Sequence, residues 1–115
     1  MHGVNELHFV DVEVTRVIDG DTFIGNVHTH IMDSELSLKN IYFRMLDINA
    51  PEMRGASKAE GEQSKGFLEG LILGKVVQVD AHKTDSFGRK LAKVFYEGED
   101  INKLMIEKGF AVPYE

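Results

Sequence analysis

Cysteine is absent from the 115 residues, which excludes disulfides, thiolate zinc sites and cysteine nucleophiles and leaves the redox compartment open. Long apolar runs are missing too: no stretch approaches the ~20 apolar residues a membrane span needs. Met1 to Leu7 lacks a basic segment leading into an apolar one, so the chain as it stands is expected to be unexported, cytoplasmic and without a membrane partner. Positive charge is scarce. Thirteen basic residues against nineteen acidic give a net charge of −6, the wrong sign for holding nucleic acid by bulk electrostatics. Repeats, low-complexity tracts and linkers are also lacking. A length of 115 residues with 43% hydrophobic content fits one core, read as a flexible N-terminus over residues 1–8 and a single domain over 9–115.

What is present begins with alternation. Val10, Val12 and Val14 interleave with Asp11, Glu13 and Thr15, the period of a strand with one face in the core. Asp19-Gly20 is a turn signal, and Thr22 to Val27 reads as a second strand paired with the first. A third runs from about Leu36 to Leu46. Leu36 and Leu38 share one parity and Ile41, Phe43 and Met45 the other, so a bulge near Lys39-Asn40 is expected to keep both sets inside. His28 to Ser34 is expected as a long, mobile hairpin tip. Pro51 closes the third strand because it cannot donate to a sheet ladder, and Met53 to Lys58 reads as a polar loop.

Ser64, Phe67, Leu68, Leu71 and Ile72 then fall at helical spacing, with Glu60-Gly61-Glu62 as an acidic first turn and Gly74 as the stop. Gly66 and Gly70 each cost this helix about 1 kcal/mol relative to alanine, so packing must sustain it. Val76 to Val79 and Leu91 to Tyr96 make two more strands. Ile101, Leu104 and Met105 stripe a second helix that ends at Gly109. The order β-β-β-α-β-β-α is mainly β with helices (α+β), and it describes a five-stranded barrel of the oligonucleotide/oligosaccharide-binding (OB-fold) type, closed at one end by the first helix.

The chemistry is concentrated in Asp19-Gly20-Asp21-Thr22, Arg44, Asn49-Ala50-Pro51-Glu52 and Asp85-Ser86-Phe87-Gly88-Arg89. Singly these are ordinary turn and strand-end residues. Jointly they supply carboxylates suited to a hard cation and two guanidiniums able to clamp a phosphate. With Phe43 and Met45 inward, alternation turns Arg44 out of the core, toward the face where this fold binds ligands.

The stretches V-I-D-G-D-T, F-R-M-L-D-I-N-A-P-E, G-E-Q-S-K-G-F-L, T-D-S-F-G-R and I-N-K-L-M-I-E-K-G-F-A resemble the staphylococcal nuclease (thermonuclease) family from about Val10 to Tyr114. The resemblance implies a calcium-dependent endonuclease that hydrolyses DNA and RNA with little sequence specificity and leaves 3′-phosphates. It implies Arg44 and Arg89 on the phosphate and Glu52 as the general base or water-orienting group. Asp21, Asn49 and the Ala50 carbonyl become the Ca2+ ligands, and Phe87, Asp85 and Tyr114 fall at the bound nucleotide. Single-stranded substrates and a monomer are expected.

Three departures from that pattern stand out. Asn49 replaces an aspartate ligand, which keeps an oxygen and removes a charge, so cation affinity should fall. Ser86 and Phe87 replace a lysine and a tyrosine, and Phe87 can still stack on a base. The prototype's further C-terminal helix is expected to be lacking. These departures motivate the alternative of a catalytically weak or inactive module that binds nucleic acid or protein. The five histidines read as solvated loop residues, with His82 near the end of the fourth strand.

Overall fold

The computed structural model describes residues 7–114. Of the N-terminus expected to be flexible, residues 1–6 lie outside the described residues, while Leu7 and His8 already belong to the first strand. Strands β1 (Leu7–Asp19), β2 (Thr22–Ile31) and β3 (Ser34–Met45) form a meander, followed by the two-residue strand β4 (Ile48–Asn49) and a 3-10 turn at Gly55–Ser57. Helix α1 (Lys58–Ile72) leads to β5 (Val76–Thr84), β6 (Lys90–Tyr96) and the short β7 (Glu99–Asp100). Helix α2 (Ile101–Glu107) and β8 (Val112–Pro113) end the chain's described part.

Neighbouring strands run in the order β3-β2-β1-β5-β6, and a parallel pairing of β3 with β6 at Phe43↔Lys90 to Met45↔Ala92 closes the sheet into a five-stranded barrel. The alternating valines do what their period demands: Val12 and Val14 are buried, Val12 standing opposite Val27 on one side and Val77 on the other. Phe23 and Phe43, opposite each other in register, stack at 5.2 Å inside the barrel. Helix α1 buries Gly61, Ser64, Leu68 and Ile72, which fall on one face. Gly66 and Gly70 lie on the exposed side and meet no neighbouring atoms, so their helical cost has no packing counterpart. Gly74, at φ 75°, turns the chain after α1 and donates its N–H to the Val14 carbonyl.

The β2–β3 hairpin departs from expectation. In place of a mobile tip over His28 to Ser34, pairing continues to Ile31↔Ser34 and the turn is only Met32-Asp33, both at positive φ (51° and 68°). That is the primed geometry whose twist matches the flanking strands. His28 and His30 are therefore strand residues and not loop residues. The bulge does occur: Gly25 pairs Ile41 but Val27 pairs Leu38, and Asn40 sits at φ 60° with its N–H on the Asn26 side-chain oxygen. It does not bring Leu36 and Leu38 inside, for each remains 38% exposed. Beyond the bulge the ribbon runs past the end of the core, and the molecule is elongated at 49 × 27 × 22 Å.

Candidate active site

Asp19-Gly20-Asp21-Thr22 turns β1 into β2 against the start of α1. A Cβ on Gly20 would stand 1.8 Å from the Ser64 hydroxyl and 2.8 Å from the Ala50 methyl, so only glycine lets this corner seat so deeply. The Asp21 carbonyl accepts the Met45 N–H at 2.7 Å, tying the corner to the end of β3 that carries Arg44. One Asp21 carboxylate oxygen accepts the Thr22 hydroxyl at 3.0 Å, and the other accepts the Ala50 N–H at 2.8 Å and lies 3.5 Å from Arg44.

Arg44 is pinned. Its Nη1 donates to the Met45 carbonyl at 2.7 Å and the Ile48 carbonyl at 2.9 Å, which folds the side chain over the turn between β3 and β4. Only 14% of the side chain is exposed, so alternation alone misjudges it as facing freely outward. The guanidinium lies 5.8 Å from the centre of the Tyr114 ring, and the Tyr114 N–H is anchored on the Asp47 carbonyl.

Arg89 is held by its own loop. Asp85 accepts the backbone N–H groups of Phe87 and Arg89, each at 2.9 Å, and the Arg89 Nε–H at 2.8 Å. Gly88, at φ 83°, supplies the left-handed step of this turn. Burial alone would raise the Asp85 pKa, but the Arg89 and Phe87 donors and the guanidinium charge outweigh it and hold the carboxyl below its usual range. Phe87 is 81% exposed, with the Arg89 guanidinium 5.4 Å from its ring centre. Among the described residues the terminal nitrogens of Arg89 have no protein acceptor.

Arg44, Arg89, Asp85 and Tyr114 line one open cleft of about 410 Å³ together with Asp47 and Leu91. Two guanidiniums and two carboxylates make its wall close to neutral, with each arginine set beside an exposed aromatic ring. The remaining expected site residues divide. Asp21 and Ala50 meet directly behind Arg44. Asn49 is exposed on β4 and, with Ala50, lines a neighbouring depression of about 160 Å³ formed with Pro51, Phe110 and Val112. Glu52 lies outside the cleft lining, with its carboxylate exposed and 3.8 Å from the Arg54 Nε.

No cluster of three or more acidic or histidine ligands occurs among the described residues. The oxygen donors that do gather are the Asp19 and Asp21 carboxylates at the β1–β2 corner, where Asp19 also accepts the Asp21 N–H at 3.0 Å. Burial, and then the adjoining Asp21 carboxyl, push the Asp19 pKa up to about 6, with Arg44 pulling the other way. A half-buried Asp19 that holds its proton so far up the pH scale is a setting a hard cation would relieve. The donors are all oxygen, the type a hard cation such as calcium takes.

Asn102 went unread in the sequence, and Gly61 and Ser64 were read only as members of the first helix. Asn102 is buried, accepts the Val94 N–H, and donates to the Leu46 and Ala92 carbonyls, fastening the turn beneath Arg44 to β6 and α2. A Cβ on Gly61 would stand 2.4 Å from the Glu52 carbonyl, so this glycine lets α1 press on the segment bearing Glu52. The Ser64 hydroxyl donates to the Phe110 carbonyl at 2.7 Å. The signal of Asn102 was a polar residue beside the apolar stripe of α2, and that of Ser64 a small polar residue within the stripe of α1.

A small OB-type barrel with an arginine-lined cleft at the end of β3 and β6 is the frame on which comparison with known proteins bears. Residues 42–115 match the family model described as staphylococcal nuclease homologue. The chain belongs to that family. It is 32% identical over 111 residues to protein ParB of Escherichia coli, covering 89% of this chain and 56% of that protein. An uncharacterized endonuclease of Haemophilus influenzae is 33% identical over 106 residues (89% and 51%), and a probable endonuclease of Schizosaccharomyces pombe 34% over 126 (89% and 54%). The chain thus spans about half the length of these relatives.

Proposed function

We propose that this domain is a calcium-dependent nuclease that hydrolyses phosphodiester bonds in DNA and RNA, favouring single strands and leaving 3′-phosphates. The observation that supports it most is the pair Arg44 and Arg89 on one cleft, each oriented by a carboxylate and flanked by an aromatic ring. Family membership and relatives named as endonucleases support the same class.

In this reading a phosphate enters between the guanidiniums. The free terminal nitrogens of Arg89 and the outer N–H groups of Arg44 donate paired hydrogen bonds that strengthen as charge builds on the phosphoryl oxygens. Phe87 and Tyr114 stack the flanking bases, a contact indifferent to sequence and closed to paired strands. Asp85 acts by holding Arg89. Asp21, the Ala50 carbonyl and, from the adjoining depression that Ala50 also lines, Asn49 would hold calcium, with Asp19 beside them, and the bound ion would supply charge neutralisation at the phosphate. The cleft's balance of two guanidiniums against Asp47 and Asp85 leaves room for a cation to add positive charge, which supports this reading. Glu52 activates the attacking water by swinging from Arg54, a surface pair at 3.8 Å that costs little to break.

The test is to incubate the purified protein with single-stranded DNA and millimolar calcium, then with chelator, and to analyse the product ends. Calcium-dependent cleavage giving 3′-phosphates supports the proposal. Intact DNA at high protein concentration refutes it in favour of a binding module.

A further inference from the structure

The unpaired edge of β3 carries a feature that cleavage chemistry does not use. From Ser34 to Asn40 this strand is hydrogen-bonded to β2 alone among the described residues, because the closure with β6 involves only Phe43 to Met45. All seven residues are exposed, and the bulge at Asn40 ends the free stretch. A protruding strand of this kind, with Leu36 and Leu38 each 38% exposed, presents a row of backbone groups that a further strand can satisfy.

The order Ser-Glu-Leu-Ser-Leu-Lys-Asn is complementary to itself when reversed. Placed antiparallel about a two-fold axis at Ser37, Glu35 stands opposite Lys39 of the second copy and Lys39 opposite Glu35. Leu36 then meets Leu38 twice, and Ser37 meets itself. Opposite charges and apolar pairs directly across strands are favourable, and like charges there are not. A two-fold contact needs one patch that complements itself, which this is.

We propose that residues 34–40 of β3 join a second copy of this chain edge to edge, in place of the monomer suggested by the sequence, so that two barrels share one continuous sheet. The dimer puts two clefts on one particle.

Sedimentation of the wild-type protein up to millimolar concentration should show a reversible monomer–dimer equilibrium. Glu35→Lys and Lys39→Glu each set like charges opposite one another at both symmetric positions and should raise the dissociation constant at least ~10-fold. The double exchange Glu35→Lys/Lys39→Glu restores opposite charges and should return it to near the wild-type value. Because the chain has no cysteine, Ser37→Cys gives a single thiol that should form a covalent dimer under mild oxidant far faster than Ser86→Cys in the exposed β5–β6 loop. Wild-type protein that stays monomeric, a double exchange no better than the single ones, or equal cross-linking at both positions overturns the proposal. Each readout is independent of cleavage.

Discussion

The Asp85 carboxylate accepts the Nε–H of Arg89 at 2.8 Å, and the same carboxylate accepts two backbone N–H groups of the loop that carries Arg89. One acid therefore sets both the shape of the loop and the direction of the guanidinium. Asp85→Ala should lower kcat/KM by about 10- to 100-fold, a 1 Å misplacement of a positioning group being enough for such losses. The folded pKa of Asp85 is depressed, so its contribution to stability is present above about pH 4 and is lost as pH falls through the folded pKa. Asp85→Asn should flatten that acid limb in thermal melts measured from pH 7 to pH 2.

Arg44 and Arg89 should separate by stability. Replacing either with lysine removes paired donation to phosphate and should cost roughly 10²- to 10³-fold in kcat. Arg44 also holds the Met45 and Ile48 carbonyls, so Arg44→Lys should additionally lower unfolding free energy by about 1–2 kcal/mol. Arg89→Lys should leave stability almost unchanged. Denaturant unfolding beside steady-state kinetics distinguishes the two.

Asp19 predicts an opposite pH effect. Its folded pKa is raised to about 6, so its favourable contribution is full below the unfolded value near 4 and is lost as pH rises through 6. Asp19→Asn keeps the acceptor for the Asp21 N–H and should stabilise the metal-free protein at pH 7 by on the order of 1 kcal/mol, discounted for partial exposure. Below about pH 4 the gain should vanish. Calcium should stabilise the wild type more than Asp19→Asn in the same melts.

Asn102→Ala would leave the Val94 N–H and the Leu46 and Ala92 carbonyls without their side-chain partner. A loss of about 3 kcal/mol in unfolding free energy is expected, with weaker cleavage because the turn beneath Arg44 loosens. By contrast Asn102→Asp keeps acceptor capacity but loses both donors, and should rescue little.

The barrel was legible where one face is buried and the other wet, because alternation then encodes inside and outside. Val12, Val14, Phe23, Phe43 and Val79 are such positions, and all are in the core. Beyond Val27 none of His28, Thr29 and His30 in the β2–β3 ribbon is buried, so they carried no such code and a paired strand resembled a loop. Packing at a distance was equally silent. Neither Gly20 against Ser64 nor Gly61 against the Glu52 carbonyl can be inferred from neighbouring residues. At the site, spacing grouped Arg44 with Arg89 and Asp21 with Ala50. It could not show that Asn49 and Ala50 line a depression beside the arginine cleft or that Glu52 rests on Arg54, since side-chain direction at the end of a short strand depends on what packs behind it.

Whether the two arginines clamp one phosphate is tested most directly by titrating a nucleoside bisphosphate, with saturating calcium, into the wild-type protein and the folded Arg44→Ala and Arg89→Ala variants. Each variant should bind about 10- to 100-fold more weakly, the loss of a charge-assisted donor pair. Wild-type affinity in either variant would mean that its guanidinium does not touch the phosphate.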